Sequence, residues 1–296
     1  MYTQFFGNFL LEKNLITKEQ LLKALESQKG QRLRLGTLAI HSGLLTAAEV
    51  NHIHGVQTHE NKRFGELAME LGYLTSVQID KLLSAQTPSY LQLCQALVDL
   101  NYLSAEDFES AMEEYQLMHQ LSDLDFSNEQ YDKVALLIAR FFTDQLINDP
   151  GCYASYITLF FNNIVRFIGQ DFTPSKVIIR DDLEAEAARM AIQKVKGKYS
   201  LITGIAMEED ALISFASRYA GEEFYENDEF TQAALEDFLN LHNGLFAVNI
   251  SNQEAEELEL DPPEYVTEEL ERREYYVIPL DFPFGEVQFF FASIDS

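Results

Sequence analysis

The feature that most constrains the fold is a repeat with a period of 29 residues in the N-terminal part of the chain. Glycine or asparagine recurs at this spacing, and each is followed three residues later by threonine or serine. Glycine and asparagine accept the left-handed conformation that ends helices, and a Ser/Thr-x-x-Glu/Gln pattern caps the next helix. Each repeat is therefore predicted to hold a short helix, a tight turn and a capped longer helix. The helix ends are Asn14, Gly43, Gly72 and Asn101, the caps are Thr17, Thr46, Thr75 and Ser104, and the third positions are Gln20, Glu49, Gln78 and Asp107.

Two of these repeats carry residues that helix formation does not require. An arginine beside a helix start, followed by a glycine that permits close backbone approach, suits a phosphate or a guanine. The first set is Arg34, Leu35, Gly36 and Gln57, and the second is Arg63, Phe64, Gly65 and Gln86.

These two segments resemble the tandem motif of the MshE N-terminal (MshEN) family, found on secretion and pilus ATPases and on other bacterial signalling proteins. The resemblance implies that the eight residues bind cyclic di-GMP, a two-fold symmetric ligand that two motif copies can hold. The sequence departs from the pattern at His54, which stands where the family has an apolar residue. The alternative is a helical repeat without a ligand, which only packs or docks.

Composition limits the remaining functions. The net charge of −27 argues against DNA or RNA and against an anionic membrane surface, because those partners are bound by lysine and arginine. The two cysteines form no CxxC pair, the start of the chain lacks a basic signal region, and the most apolar segment is interrupted by polar residues, so we expect a cytoplasmic protein without membrane insertion. The histidines between residues 41 and 59 lack a completing carboxylate or thiol at ligand spacing, and no metal site is predicted.

The rest of the chain predicts a second domain. Most of the negative charge lies after residue 118, which favours domains over residues 1–118 and 119–296. The first is predicted to be all-α, built of helical hairpins. The second is predicted to be α+β with a mainly antiparallel sheet. Its predicted helices cover 128–147, 153–169, 208–221 and 228–250, its strands cover 176–180, 198–206 and 258–263, a hairpin joins 273–282 to 286–294, and 252–274 is predicted to be mainly a long exposed loop.

The second domain resembles the CheX, CheC and FliY family of chemotaxis phosphatases. The segments that carry the resemblance are EEDALISFASRYAGEEF (208–224), DFLNLHNG (237–244) and LELDPPEYV (258–266), followed by a final hairpin. The family's Glu-x-x-Asn-x-x-x-Gly helix maps onto Asp237, Asn240 and Gly244, with Asp237 one methylene shorter than the family's acid. The resemblance implies that Asn240 orients a water molecule for attack on the aspartyl phosphate of a response regulator such as CheY. It also implies that Asp237 contacts the regulator's active-site lysine, and that two copies of the chain pair as a homodimer.

Together these observations indicate a bacterial signalling protein in which a cyclic di-GMP module is joined to a domain that dephosphorylates or docks on a receiver domain. No resident cofactor is expected. Another interpretation is a non-catalytic adaptor in which both sites are degenerate. A winged-helix DNA reader fits the acidic charge least.

Overall fold

A computed structural model describes residues 2–27, 32–60, 62–84, 90–119, 150–181, 183, 189–266 and 270–294. The chain divides into two compact units, with the described residues up to 119 in the first and those from 150 onward in the second. The helix predicted over 128–147 lies outside the described residues. The boundary predicted after residue 118 stays a prediction for the same reason.

The first unit is helical throughout its described residues. Its helices are α1 (Tyr2–Glu12), α2 (Lys18–Ser27), α3 (Leu35–His41), α4 (Ala47–Gln57), α5 (Phe64–Glu70), α6 (Ser76–Ser84), α7 (Tyr90–Asp99) and α8 (Ala105–His119). The helix ends predicted at Asn14, Gly43, Gly72 and Asn101 are confirmed, since φ is 54°, 64°, 75° and 56° at these residues. At the start of α4, Glu49 N donates to Thr46 Oγ1 over 3.3 Å and Thr46 N donates to Glu49 Oε2 over 2.8 Å, which is the reciprocal cap that the sequence predicts.

Aromatic side chains fill the core of the first unit. Phe6 is fully buried, and its ring centroid lies within 6.5 Å of those of Tyr90, Phe108 and Tyr115. Helices α1, α7 and α8 therefore share one core, because these rings come from all three.

The described residues of the second unit form an antiparallel sheet and three helices. Its helices are α9 (Pro150–Asn163), which continues as a π-helix over Ile164–Ile168, α10 (Glu209–Ala220) and α11 (Glu229–Glu254). The strands are β1 (Thr173–Pro174), β2 (Ile178–Arg180), β3 (Arg189–Lys196), β4 (Leu201–Met207), β5 (Glu259–Leu260), β6 (Glu264–Val266), β7 (Tyr275–Phe282) and β8 (Gly285–Ser293). The strand order is β1-β7-β8-β4-β3-β5, with β2 also paired to β7 and β6 to β3. The mainly antiparallel sheet is confirmed, as is the hairpin, in which Phe282 pairs with Gly285.

Three strands of this sheet were not predicted. Strands β1, β3 and β6 were missed, whereas β5 lies within the strand predicted over 258–263. The stretch 252–274, predicted to be mainly an exposed loop, contains the end of α11 together with β5 and β6. Both short strands pair with β3. The acidic residues around β6 are typical of a loop, and pairing with β3 makes this segment extended.

Two features are absent from the described residues. None of the helices there has both the length and the apolar character needed to cross a membrane. The same residues contain no group of three His, Cys, Asp or Glu side chains placed to hold a metal ion.

Candidate functional site

Helix α11 presents the two predicted catalytic residues on one exposed side. Asp237 and Asn240 are exposed, whereas Phe238 and Leu239 between them are fully buried. A helix places residues three apart as neighbours on its surface, with Cβ atoms about 5–6 Å apart. The predicted pair therefore shares a face that a partner can reach.

The carboxylate of Asp237 is held by a tyrosine from the preceding helix. Tyr219 of α10 donates its hydroxyl to Asp237 Oδ2 over 2.6 Å, and its ring lies 5.5 Å from that of Phe238. Burial, and then the hydrogen bond to the carboxylate, raise the pKa of Tyr219 well above its ordinary value. The tyrosine therefore stays protonated and acts as a donor that orients one oxygen of Asp237.

The amide of Asn240 is held by a residue of the sheet. Gln193 of β3 is 1% exposed, and its Nε2 atom lies 2.8 Å from Asn240 Oδ1 and 2.7 Å from the backbone oxygen of Asp261. Because Asn240 is exposed and Gln193 is buried, this bond links the surface of the helix to the interior of the unit.

The hydrogen bonds continue inward from Gln193. Its Oε1 atom accepts from Asn243 Nδ2 over 2.8 Å, and Asn243 Oδ1 lies 2.6 Å from the hydroxyl of Tyr156. That hydroxyl lies 2.7 Å from Thr203 Oγ1. Tyr156, Thr203 and Asn243 are fully buried. We call this series, from Thr203 to Asn240, the amide chain.

Sequence reasoning did not find Tyr219 or Gln193. They are 18 and 47 residues away from the side chains that they hold, and β3 itself was not predicted. The available signal was a single glutamine among the apolar residues of the segment RMAIQKVK (189–196).

The third residue of the predicted motif, Gly244, faces open space. A Cβ atom built at Gly244 has no heavy atom within 4 Å apart from those of its own helix backbone and its two chain neighbours. Phe230 and Val248, which are 63% and 55% exposed, lie within about 40° of Gly244 around the helix axis at the usual 100° per residue. The face of α11 that carries Asp237 and Asn240 is thus flanked by exposed apolar side chains.

The two halves of the predicted nucleotide motif meet at the starts of α3 and α5. A Cβ atom on Gly36 would lie 3.4 Å from Phe64 Cζ, and one on Gly65 would lie 3.2 Å from Leu35 Cδ2. A Cβ atom on Gly36 would also lie 2.9 Å from Val50 Cγ1. Both glycines therefore have a packing role in the structure. The sequence had instead suggested that they allow a ligand to approach the backbone closely.

Two of the remaining motif residues, Arg34 and Gln57, have protein partners of their own. Arg34 Nη1 lies 2.6 Å from Asp99 Oδ1, although 60% of the Arg34 side chain remains exposed. Gln57 donates to the backbone oxygen of Lys62 over 3.1 Å, and His54 Nδ1 lies 3.3 Å from Gln57 Oε1. Arg63 is exposed, and Gln86 lies outside the described residues.

An open cleft in the first unit adjoins Arg34. It lies between α3, α4, α7 and α8, and its polar lining includes Arg34, Asn51, His54, Gln95 and Asp99. The cleft is therefore lined by a cationic group, an anionic group and neutral hydrogen-bonding groups.

No protein-family model matches the sequence, and no curated protein matches it either. Solved structures do match the C-terminal half of the chain. A CheC-like superfamily protein from Shewanella sp. PV-4 is 14% identical, with a TM-score of 0.41 over 47% of this chain and 95% of that one. The chemotaxis protein CheX from Vibrio vulnificus is 13% identical, with a TM-score of 0.40 over 46% and 95%.

A third match is a CheX–CheY–BeF3–Mg complex from Borrelia burgdorferi, which is 15% identical, with a TM-score of 0.40 over 46% of this chain and 94% of that one. These identities are too low to transfer an activity. The residues of this chain therefore have to carry any functional conclusion.

Proposed function

We propose that the second unit docks on the receiver domain of a response regulator and hydrolyses its aspartyl phosphate. The observation that carries this proposal is the pair Asp237 and Asn240, exposed on one face of α11, with each side chain held by a hydrogen bond from a different element. A surface pair with no task has no need of two fixed side chains, since exposed polar groups are satisfied by water.

The chemistry of the pair fits this reaction. Water attacks the phosphorus in line, the bond between phosphorus and the aspartyl oxygen breaks, and the products are inorganic phosphate and a free carboxylate. A side-chain amide has both donors and acceptors, so Asn240 can orient the attacking water. Tyr219 occupies one oxygen of Asp237, which leaves the other oxygen for a cationic side chain of the regulator.

The surroundings of the pair favour docking of a protein. A glycine inside a helix costs about 0.5–1 kcal/mol relative to alanine, and no neighbour of Gly244 in the chain requires its small size. Phe230 and Val248 add apolar area on either side of the pair. These features support a surface that a receiver domain approaches closely.

The test is the decay of a phosphorylated regulator with and without the full chain. We expect Asn240→Ala to lower the acceleration of decay by about two orders of magnitude, because misplacement of a positioned group by about 1 Å can already cost that factor. Asn249→Ala is the matched control, because Asn249 is also exposed on α11 but lies about 120° around the axis from Asp237. Equal decay with wild type and Asn240→Ala would exclude hydrolysis. Binding without faster decay would leave an adaptor.

We also propose that the first unit binds cyclic di-GMP across the starts of α3 and α5. The observation in favour is that Leu35 and Phe64 each pack on the glycine of the other motif half, and that each of these two residues directly follows an exposed arginine. Two arginines on adjoining helix starts suit a ligand with two phosphates and two guanines.

Calorimetry with cyclic di-GMP tests this second proposal. Arg34→Ala and Arg63→Ala are each expected to abolish the heat of binding, whereas Arg32→Ala, with the same loss of charge at an exposed site two residues away, is expected to leave it. Asp99→Asn removes the carboxylate that pairs with Arg34 and is expected to tighten binding. No heat from the wild-type protein at high micromolar ligand would overturn the proposal.

A further inference from the structure

We infer that Gln193 is a positioning residue, which fixes the orientation of the Asn240 amide through the amide chain. The catalytic consequence of this inference rests on the proposed phosphatase activity. The orientation itself does not, since it follows from which atoms can donate and which can accept.

The backbone oxygen of Asp261 determines which way Gln193 faces. Asp261 N donates to the backbone oxygen of Lys194 over 3.0 Å, so pairing with β3 holds this residue in place. A carbonyl oxygen only accepts, so the group 2.7 Å from it must be the amide nitrogen of Gln193. The same nitrogen lies 2.8 Å from Asn240 Oδ1, and its two hydrogens are thereby both used.

The inner half of the amide chain agrees with this arrangement. Gln193 Oε1 accepts from Asn243 Nδ2, and Asn243 Oδ1 accepts from the hydroxyl of Tyr156. A tyrosine hydroxyl has one hydrogen, so the bond to Thr203 requires threonine to donate. Turning Gln193 over would place donor against donor at Asn243 and acceptor against acceptor at Asp261, which a buried site tolerates poorly.

Asn240 is the one exposed member of the amide chain. The other members determine which atoms of its amide face solvent. Its Oδ1 atom is turned toward Gln193, so Nδ2, with two hydrogens, and the second lone pair of Oδ1 remain for a partner. Donation from Gln193 also polarises the Asn240 amide and strengthens its N–H groups as donors. Without Gln193, the terminal torsion of asparagine has a broad preference and the amide turns freely.

The experiment measures kcat and KM for regulator dephosphorylation by the full chain. Gln193→Met keeps the length of the side chain but has no donor, and Gln193→Glu keeps the acceptor for Asn243 but loses both hydrogens. For each we expect kcat to fall about 10- to 100-fold, because a misplaced group costs up to that factor, with KM within about twofold of wild type. Asn163→Leu is the matched control, since Asn163 is also a buried amide packed against α11, where it contacts His242. It should keep kcat.

A second readout is the Asn240 side-chain amide in 1H–15N spectra of folded protein. Its resonances should move in Gln193→Met and stay in place in Asn163→Leu. Unmoved resonances in Gln193→Met would overturn the inference, whatever the activity.

The kinetic outcomes separate the two proposals. If Asn240→Ala abolishes hydrolysis while Gln193→Met retains full kcat, the inference fails and the proposed function stands. If Asn163→Leu lowers kcat as much as Gln193→Met, loosening of the core explains the loss and the inference fails. If Asn240→Ala has no effect, the proposed function fails, and the spectra alone decide the orientation.

Discussion

His242 makes the second unit sensitive to acid at the scale of a single residue. It is fully buried on α11, its ring centroid is 4.5 Å from that of Tyr156, and its Nε2 atom has no hydrogen-bond partner among the described residues. Burial lowers the pKa of His242 from 6.5 to about 3, because the charged ring cannot be solvated there. His242 therefore binds a proton near pH 6.5 in the unfolded chain but only near pH 3 in the folded unit.

The sign follows from this difference in proton binding. Stability from His242 is fully present above pH 6.5 and is lost as the pH falls from 6.5 toward 3. We expect the free energy of unfolding to drop by about 1.4 kcal/mol per pH unit from this group in that range. His242→Phe should remove this part of the slope, and His59→Phe, at an exposed site, should not. Denaturant unfolding at several pH values measures the slope of the unfolding free energy against pH. An unchanged slope in His242→Phe would show that His242 is not its source.

A substitution at Gly244 is expected to change stability and regulator binding in opposite directions. Gly244→Ala is expected to raise the free energy of unfolding by up to about 1 kcal/mol, because alanine is the better helix former and the added methyl meets no neighbour. The same methyl stands beside Asn240 on the proposed docking face, so we expect weaker binding of the regulator in a titration.

Gly55 provides the control for this substitution. It lies in α4, it also has open space around a built Cβ, and Gly55→Ala should add stability without changing regulator binding. If Gly244→Ala binds the regulator as tightly as wild type, this face of α11 is not the docking surface.

At the scale of the element, α11 depends on the cap at its start. Asp228 Oδ1 accepts from the backbone nitrogens of Phe230 and Thr231, each over 3.0 Å, and Asp228 N donates to Thr231 Oγ1 over 2.9 Å. Asp228→Ala is expected to cost about 1 kcal/mol and to speed amide exchange in the first turn. Asp228→Asn keeps an acceptor and should retain most of the protection. Equal exchange in wild type and Asp228→Ala would show that the cap contributes nothing.

The elements that the sequence predicted are those whose signals are local. Glycine or asparagine after a helix, a capping residue before one, and apolar runs around the turn at Phe282–Gly285 each act over a few residues. Strand β3 was missed because its charged residues hide the alternation of a strand. Strand β6 was missed because its surrounding acidic sequence is typical of a loop and the strand forms by pairing with β3, whereas β5 lies within the strand predicted over 258–263.

The candidate site divides in the same way. Asp237 and Asn240 were found because residues three apart on a helix form a local pattern. Gln193 and Tyr219 were not, because their roles arise only when β3 and α10 pack beside α11. In the first unit the sequence showed that Gly36 was special, but only the structure shows Val50 packed against it.

At the scale of the whole molecule, two units with separate cores lie on one chain of net charge −27. A second messenger with two phosphates must bind against this overall charge, which places the demand on local arginines. A receiver domain bound by the second unit has no such conflict at a cationic side chain placed against Asp237. The two proposed ligands thus make opposite electrostatic demands on the same chain.

The last prediction concerns coupling between these two binding events. If cyclic di-GMP shifts the chain between two states that bind the regulator differently, the regulator must change the affinity for cyclic di-GMP by the same factor. Typical coupling corresponds to about 5- to 150-fold. Calorimetry measures both sides, with cyclic di-GMP titrated in the presence and absence of saturating regulator, and the regulator titrated with and without the nucleotide.

Arg63→Ala gives the control for coupling, since it should abolish the effect of the nucleotide while leaving regulator affinity at the value of the unliganded chain. Equal dissociation constants in both pairs of titrations would show two independent binding units. Unequal factors in the two directions would show that a further species takes part, because linkage allows only one coupling free energy for a closed cycle of two ligands.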